Sequence, residues 1–152
     1  VSKEFMMKKT IGSFLCVAVL GAIGAPALAQ TSGGLVVEFQ GPGGHSNGNY
    51  GRTSALHAAG RSLILLQKAG LPPGSYTVSA LQGGNSVNSI ASDGHYEVAL
   101  TAADPTAYEG LVAQVTAAAK AGADAENAFR GVKEGDLTAG APATIRYTVT
   151  PK

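Results

Sequence analysis

The sequence predicts an α+β domain of the ferredoxin-like kind, β-α-β-β-α-β: one four-stranded antiparallel sheet with two helices on one face. Three observations lead there. Apolar and polar side chains alternate in four short runs, the period of half-buried strands. In two longer runs the apolar residues recur at helical spacing instead. The six runs then follow one another as strand, helix, strand, strand, helix, strand.

Leu35, Val37 and Phe39 alternate with Val36, Glu38 and Gln40 to make the first strand, after a short flexible entry at Thr31 to Gly34. Gly41-Pro42-Gly43-Gly44-His45-Ser46-Asn47-Gly48-Asn49-Tyr50-Gly51-Arg52 follows. It is too glycine-rich and too polar for core, and implies positive φ or close approach of something to the main chain. Its histidine faces outward and offers a donor. Thr53 or Ser54 caps the first helix, whose stripe is Leu56, Ala59, Leu63 and Leu66, and Gly70 ends it. Ile64 and Leu65 widen that stripe beyond what one sheet face requires, a surplus that suits either a partner subunit or core.

Leu71-Pro72-Pro73-Gly74 is a stiff turn into a second strand, with Tyr76, Val78 and Ala80 alternating with Thr77 and Ser79. Gly83-Gly84 interrupts before a third. There Tyr96, Val98 and Leu100 face one way and His95, Glu97, Ala99 and Thr101 the other. Asp104 caps the second helix with Pro105 at its first position. Tyr108, Leu111, Val112, Val115 and Ala119 form its stripe, and Gly122 loosens it before a continuation through Ala128-Phe129. Gly131 to Ala143 reads as a loop. The last strand turns Ile145, Tyr147 and Val149 inward and Thr144, Arg146 and Thr148 outward.

A length of 152 residues suits a single domain. Lys8-Lys9, an apolar run from Ile11 to Ala25, and Ala27-Leu28-Ala29 have the layout of a secretory signal peptide cleaved before Gln30. The expectation is therefore a removed leader over 1–29 and one domain over 30–152, secreted or periplasmic. The apolar run is short for a membrane span, so no stable membrane anchor is expected. Cys16, the only cysteine, lies inside it without the small-residue context of a lipoprotein site. The processed chain then has no disulfide and no thiolate chemistry. Setting aside Lys3, Lys8, Lys9 and Glu4 leaves eight basic and nine acidic residues. That balance points neither to nucleic acid nor to an anionic membrane.

Two motifs carry a family resemblance. Gly43-Gly44-His45-Ser46, followed by Gly51-Arg52 and Ser54-Ala55 into a helix, is the first. Gly83-Gly84-Asn85-Ser86-Val87-Asn88-Ser89-Ile90 is the second. In this order and spacing they resemble the dimerisation (lid) domain of metallopeptidase family twenty, the zinc aminoacylases, carboxypeptidases and peptidase T. The likeness runs from about Leu35 to Val149. It implies the same ferredoxin-like fold and a homodimer in which edge strands and first helices of two lids meet across a two-fold, here through Tyr76 to Leu81. A heterodimer with a full-length metallopeptidase is the other partner it suggests.

The resemblance also assigns candidate site residues. His45 matches the lid histidine that reaches into the partner's active site and polarises the scissile carbonyl, a donor aimed at oxyanion charge. Asn88 matches the asparagine that contacts substrate, and Ser46 accompanies His45. A solvated loop histidine and an Asn88 bonded to its own backbone are the plain alternatives. The departures are Ala99 and Thr101, standing where the family has an Asp-x-Arg carboxylate grip, and Ala91 in place of a proline. The zinc-ligand set of the family's catalytic domain is not in this sequence: His45, His57 and His95 sit in a loop, a helix and a strand. A dinuclear site needs several convergent ligands, so neither metal nor cofactor is expected and no catalytic residue is assigned. His57 reads as a helix boundary residue and His95 as a solvent-side neighbour of Glu97. Glu126-Asn127 resembles the end of the family's second lid helix, or simply marks helix termination. No Gly-Lys-Ser/Thr follows residues 41 to 44, which excludes a phosphate cradle, and adjacent His45 and Ser46 make no catalytic triad. The two function classes left are a secreted, non-catalytic dimerisation module and a small-ligand or peptide-binding protein that uses the glycine-rich loop.

Overall fold

The computed structural model of the chain describes residues 30–152. The expected signal peptide over 1–29, with Cys16 and the cleavage before Gln30, lies outside the described residues. In chain order the elements are β1 (Thr31–Gln40), β2 (Gly44–His45), α1 (Ser46–Asn49), α2 (Ala55–Lys68), β3 (Tyr76–Gly83), β4 (Ser89–Ile90), β5 (Asp93–Ala102), α3 (Pro105–Arg130), β6 (Leu137–Thr138), β7 (Ala141–Pro142) and β8 (Arg146–Pro151). The main sheet has four strands in the order β3-β5-β1-β8, every pair antiparallel. With α2 and α3 packed on it, this is the expected ferredoxin-like arrangement. Among the described residues no helix is long and apolar enough to cross a membrane.

The core forms where the sheet's inward face meets the helices. Leu35, Val37 and Phe39 of β1 and Tyr96, Val98 and Leu100 of β5 are all buried, as the alternation requires. Ser54 and Asp104 cap α2 and α3, accepting from the backbone N–H of His57 and Ala107. Pro105 stands in the first turn of α3, and Gly131 closes that helix in the left-handed region at φ +69.

Several expectations are corrected. Thr31–Gly34 is strand, paired with Ala99–Ala102, and the Tyr108 hydroxyl lies against Gly33. The buried face of α2 is Ala55, Ala58, Ala59, Ser62 and Leu66, while Leu56 and Leu63 are only half-buried. The rotation has a cause. A Cβ placed on Gly122 would lie 2.6 Å from Ser62 Cβ and 2.7 Å from the Ala58 carbonyl oxygen, so the two helix backbones cross almost in contact. Small residues face small residues, and the leucines are displaced to the flanks. Gly122 therefore marks the crossing point rather than a weakness: α3 continues unbroken to Arg130.

The second strand departs from simple alternation. Ser79 is opposite Glu97 and Gln82 opposite His95, so Ala80 and Leu81 together face Tyr96. This is a β-bulge, with Ala80 in the left-handed region at φ +55 and exposed instead of inward. The segment read as a loop, Gly131 to Ala143, contains the β6–β7 hairpin turned by Ala139 and Gly140, both at positive φ.

Candidate functional site

The two glycine-rich blocks meet. β2 pairs with β4, setting Gly44 opposite Ile90 and His45 opposite Ser89. Backbone bonds from Gly41 N–H to Ser92 O (2.8 Å) and from Ser46 N–H to Asn88 O (2.9 Å) extend the contact. A Cβ on Gly43 would lie 2.7 Å from Ser92 Cβ, so glycine is required there by close approach as well as by its φ of +63. Arg52 reaches back along the loop and donates through Nη1 to Gly43 O at 3.0 Å.

This pairing brings two of the three sequence-assigned residues into contact. His45 caps the one-turn helix α1, its Nδ1 accepting from Asn47 N–H at 3.2 Å. Its Nε2 stands 3.0 Å from the Asn88 side-chain amide nitrogen, whose oxygen lies 2.7 Å from Ser86 Oγ. A neutral imidazole that accepts at Nδ1 carries its proton on Nε2 and donates there. The Asn88 amide therefore turns over to meet the ring with its oxygen and offers its NH₂ to Ser86. Both nitrogens of His45 are thus engaged within the loop pair, and a ligand that hydrogen-bonds to the ring must displace Asn47 or Asn88. Ser46 lines a cleft of about 370 Å³ together with Tyr50, Arg52, Ser54, His57 and Arg130.

Behind that cleft lies a cluster that sequence reasoning did not assemble. Glu126 has no solvent exposure. Its Oε1 accepts from Ser54 N–H at 3.1 Å and from Arg130 Nε at 3.2 Å, and its Oε2 from Arg61 Nε at 3.0 Å. His57 Nδ1 is 3.9 Å away, with its side chain 61% exposed. Both guanidinium groups also approach the Phe129 ring, their carbons 4.8 and 4.9 Å from its centre. Asn127 accepts from Ile145 N–H at 2.7 Å and donates to Ile145 O at 3.3 Å, and Thr53 Oγ1 donates to Ala143 O at 2.6 Å. Glu126 and Asn127 thus do more than end a helix: one ties α3 to the start of α2 and the other to the entrance of β8. The i,i+4 spacing of Glu126 and Arg130 was a visible signal for one of these bonds; the others span 65 and 72 residues.

The remaining candidates are dispersed. Ala99 and Thr101 lie on the sheet face away from the core residues, Ala99 exposed and Thr101 half-buried. Ala91 is buried, and its carbonyl accepts from Ala55 N–H at 3.0 Å at the head of α2. His95 is opposite Glu38 on that same open face. Among the described residues no group of three or more His, Cys, Asp or Glu is placed to hold a metal ion.

The family model of the peptidase dimerisation domain, M20_dimer, matches residues 30–127. No curated protein sequence matches the chain. Among solved structures, the chain is similar to a hydantoinase/carbamoylase family amidase from Burkholderia ambifaria, at TM-score 0.60 and 21% identity over 83% of this chain and 28% of that one. It is also similar to the aminobenzoyl-glutamate utilization protein of Klebsiella pneumoniae, at 0.59 and 18% over 84% and 31%. A third is aminopeptidase PepT of Bacillus cereus, at 0.54 and 14% over 80% and 29%. The chain spans about three tenths of the length of these structures, and at such identities they share its fold. The sheet, the two helices, the paired glycine blocks and the match over most of the described residues agree: the chain belongs to the family of peptidase dimerisation domains.

Proposed function

We propose that this chain is a secreted or periplasmic, non-catalytic dimerisation module that self-associates through β3 and the adjoining face of α2. The observation that carries the reading is the state of that edge. Tyr76 and Val78 are only half-buried at the rim of the core, Ile64 of α2 is 52% exposed, and the run Tyr76-Thr77-Val78-Ser79 has neither charge nor proline. Edge strands that are meant to stay solitary are blunted by such residues. β8, at the opposite edge, is flanked by Arg146, Pro151 and Lys152. Size-exclusion chromatography with light scattering at tens of micromolar is expected to return twice the chain mass; a monomer overturns the reading. The non-catalytic part rests on the scattered histidines, and is tested by assaying purified protein for amide hydrolysis and stoichiometric zinc, with neither expected.

A second reading is favoured by the contact of His45 with Asn88: a small-ligand or peptide site built from His45, Ser46 and Asn88 beside the cleft. Calorimetric titration with dipeptides and acylated amino acids tests it, and no heat with any of them removes it. Pairing with a full-length metallopeptidase through the same β3 edge is the heteromeric version of the first reading, and capture of such an enzyme by the tagged chain is its test.

A further inference from the structure

We propose, resting on the reading that the chain self-associates through β3, that the two-fold axis passes through Thr77, so that two copies share four backbone hydrogen bonds made only by Tyr76 and Val78. The argument begins with which backbone groups are free. Thr101 N–H donates to Ser75 O at 2.9 Å, and the register sets Tyr76 opposite Leu100, Thr77 opposite Ala99, Val78 opposite Val98 and Ser79 opposite Glu97. In an antiparallel ladder the hydrogen-bonding residues alternate, so Ser75, Thr77 and Ser79 turn their main-chain groups to β5. The N–H and C=O of Tyr76 and Val78 point the other way, off the edge.

A second β3 related by a two-fold must pair outward residues with outward residues, which restricts the axis to whole-residue positions. Each neighbouring position is spoiled by something in the fold. An axis at Val78 pairs Tyr76 with Ala80, whose φ of +55 in the bulge swings its groups out of the ladder. An axis at Tyr76 pairs Val78 with Gly74, which lies in the turn at φ +75, next to Pro73 with no N–H to give. Only the axis at Thr77 keeps every bond on regular strand: Tyr76 with the second copy's Val78, and Val78 with its Tyr76. The bulge thus acts as a register stop.

The side chains agree with this register. On the helix side each half-buried Tyr76 comes opposite a half-buried Val78, an aromatic–β-branched cross-strand pair of the favourable kind. Leu63 and Gln67 of α2 line the cleft of about 310 Å³ beside them, so the two cores join into one. On the open face the two Thr77 side chains meet at the axis as a non-hydrogen-bonded pair, with Cα atoms about 4.5 Å apart. That separation suits a disulfide.

The test uses the full chain carrying Cys16→Ser, so that an introduced thiol is the only one. Thr77→Cys is expected to form a covalent dimer under mild oxidation, read on a non-reducing gel, while Ser79→Cys alone stays unlinked. The proposal is overturned if Thr77→Cys fails to cross-link in a protein that light scattering shows to be dimeric; self-association then stands with another register. A mixture of Thr77→Cys and Ser79→Cys chains that cross-links only heterotypically would place the axis at Val78 and also overturn it. Monomer by light scattering, with no cross-link in any variant, overturns the register and the dimerisation reading together.

Discussion

Glu126 shows how a single carboxylate can fix the relation of two helices. It is removed from water, yet its oxygens receive a backbone N–H and two guanidinium groups, which offsets the cost of burying its charge. Removing one member of such a buried cluster costs roughly 3–5 kcal/mol. Arg61 and Arg130 reach solvent here, with side chains 36% and 21% exposed, which puts Glu126→Ala near the low end of that range. Urea unfolding should show the midpoint falling while the slope is unchanged. Tyr96 offers a second test. Its hydroxyl is 2.6 Å from Ser62 Oγ in the core, and burial raises its pKa above the ordinary 10.0, the bond to Ser62 opposing that shift in part. A phenol whose folded pKa is raised contributes stability that is intact below the unfolded pKa and lost as pH rises through the folded one. Stability is therefore expected to decline above about pH 10, and Tyr96→Phe to remove this residue's part of the decline. At neutral pH the same substitution leaves Ser62 Oγ buried without its partner, at a cost of about 1–3 kcal/mol. The caps at Ser54 and Asp104 were legible in the sequence because capping is settled within three residues. Glu126 was not, because nothing near it in the chain says which two arginines it will meet.

At the scale of elements, strands were easier to read than helix faces. Alternation in β1 and β5 gave the inward set correctly, since a strand buried on one side has only two choices. The buried face of α2 departs from the leucine stripe, with Ala55, Ala58 and Ser62 inside and Leu56 and Leu63 at the flanks. What decides that face is the approach of α3, and close approach selects Ala58, Ser62 and Gly122 over larger side chains. Gly122→Val should accordingly cost about 1–3 kcal/mol by overpacking, although an exposed helical glycine would gain from the change. Thermal melts of Gly122→Val beside Gly110→Ala make the comparison, since a Cβ at Gly110 meets nothing within 4 Å. The bulge in β3 escaped the sequence for a different reason. The residue that takes positive φ is Ala80, where glycine would have announced the kink.

For the whole molecule, the order of elements and the strand and helix periods were enough to give the topology, while the meeting of His45 and Asn88 needed the fold. Their two blocks lie 43 residues apart, and each alone is a flexible, polar connection. Only the β2–β4 pairing makes them one structure. If native chains associate through β3, mass action links stability to concentration. The melting temperature is expected to rise with protein concentration over a hundredfold range. Val78→Lys, which puts like charges near the axis, should abolish that dependence and leave a folded monomer, as judged by circular dichroism and light scattering.

The two borders of the sheet also set how far assembly can go. If two chains join at β3 as proposed, that border is used up on both partners and a β8 stands at each end of an eight-strand ribbon. There the outward backbone positions include Pro151, which cannot donate, with Arg146 and Lys152 close by. In such a ribbon Pro151 removes one backbone donor from each free border, which weighs against the addition of a third chain there.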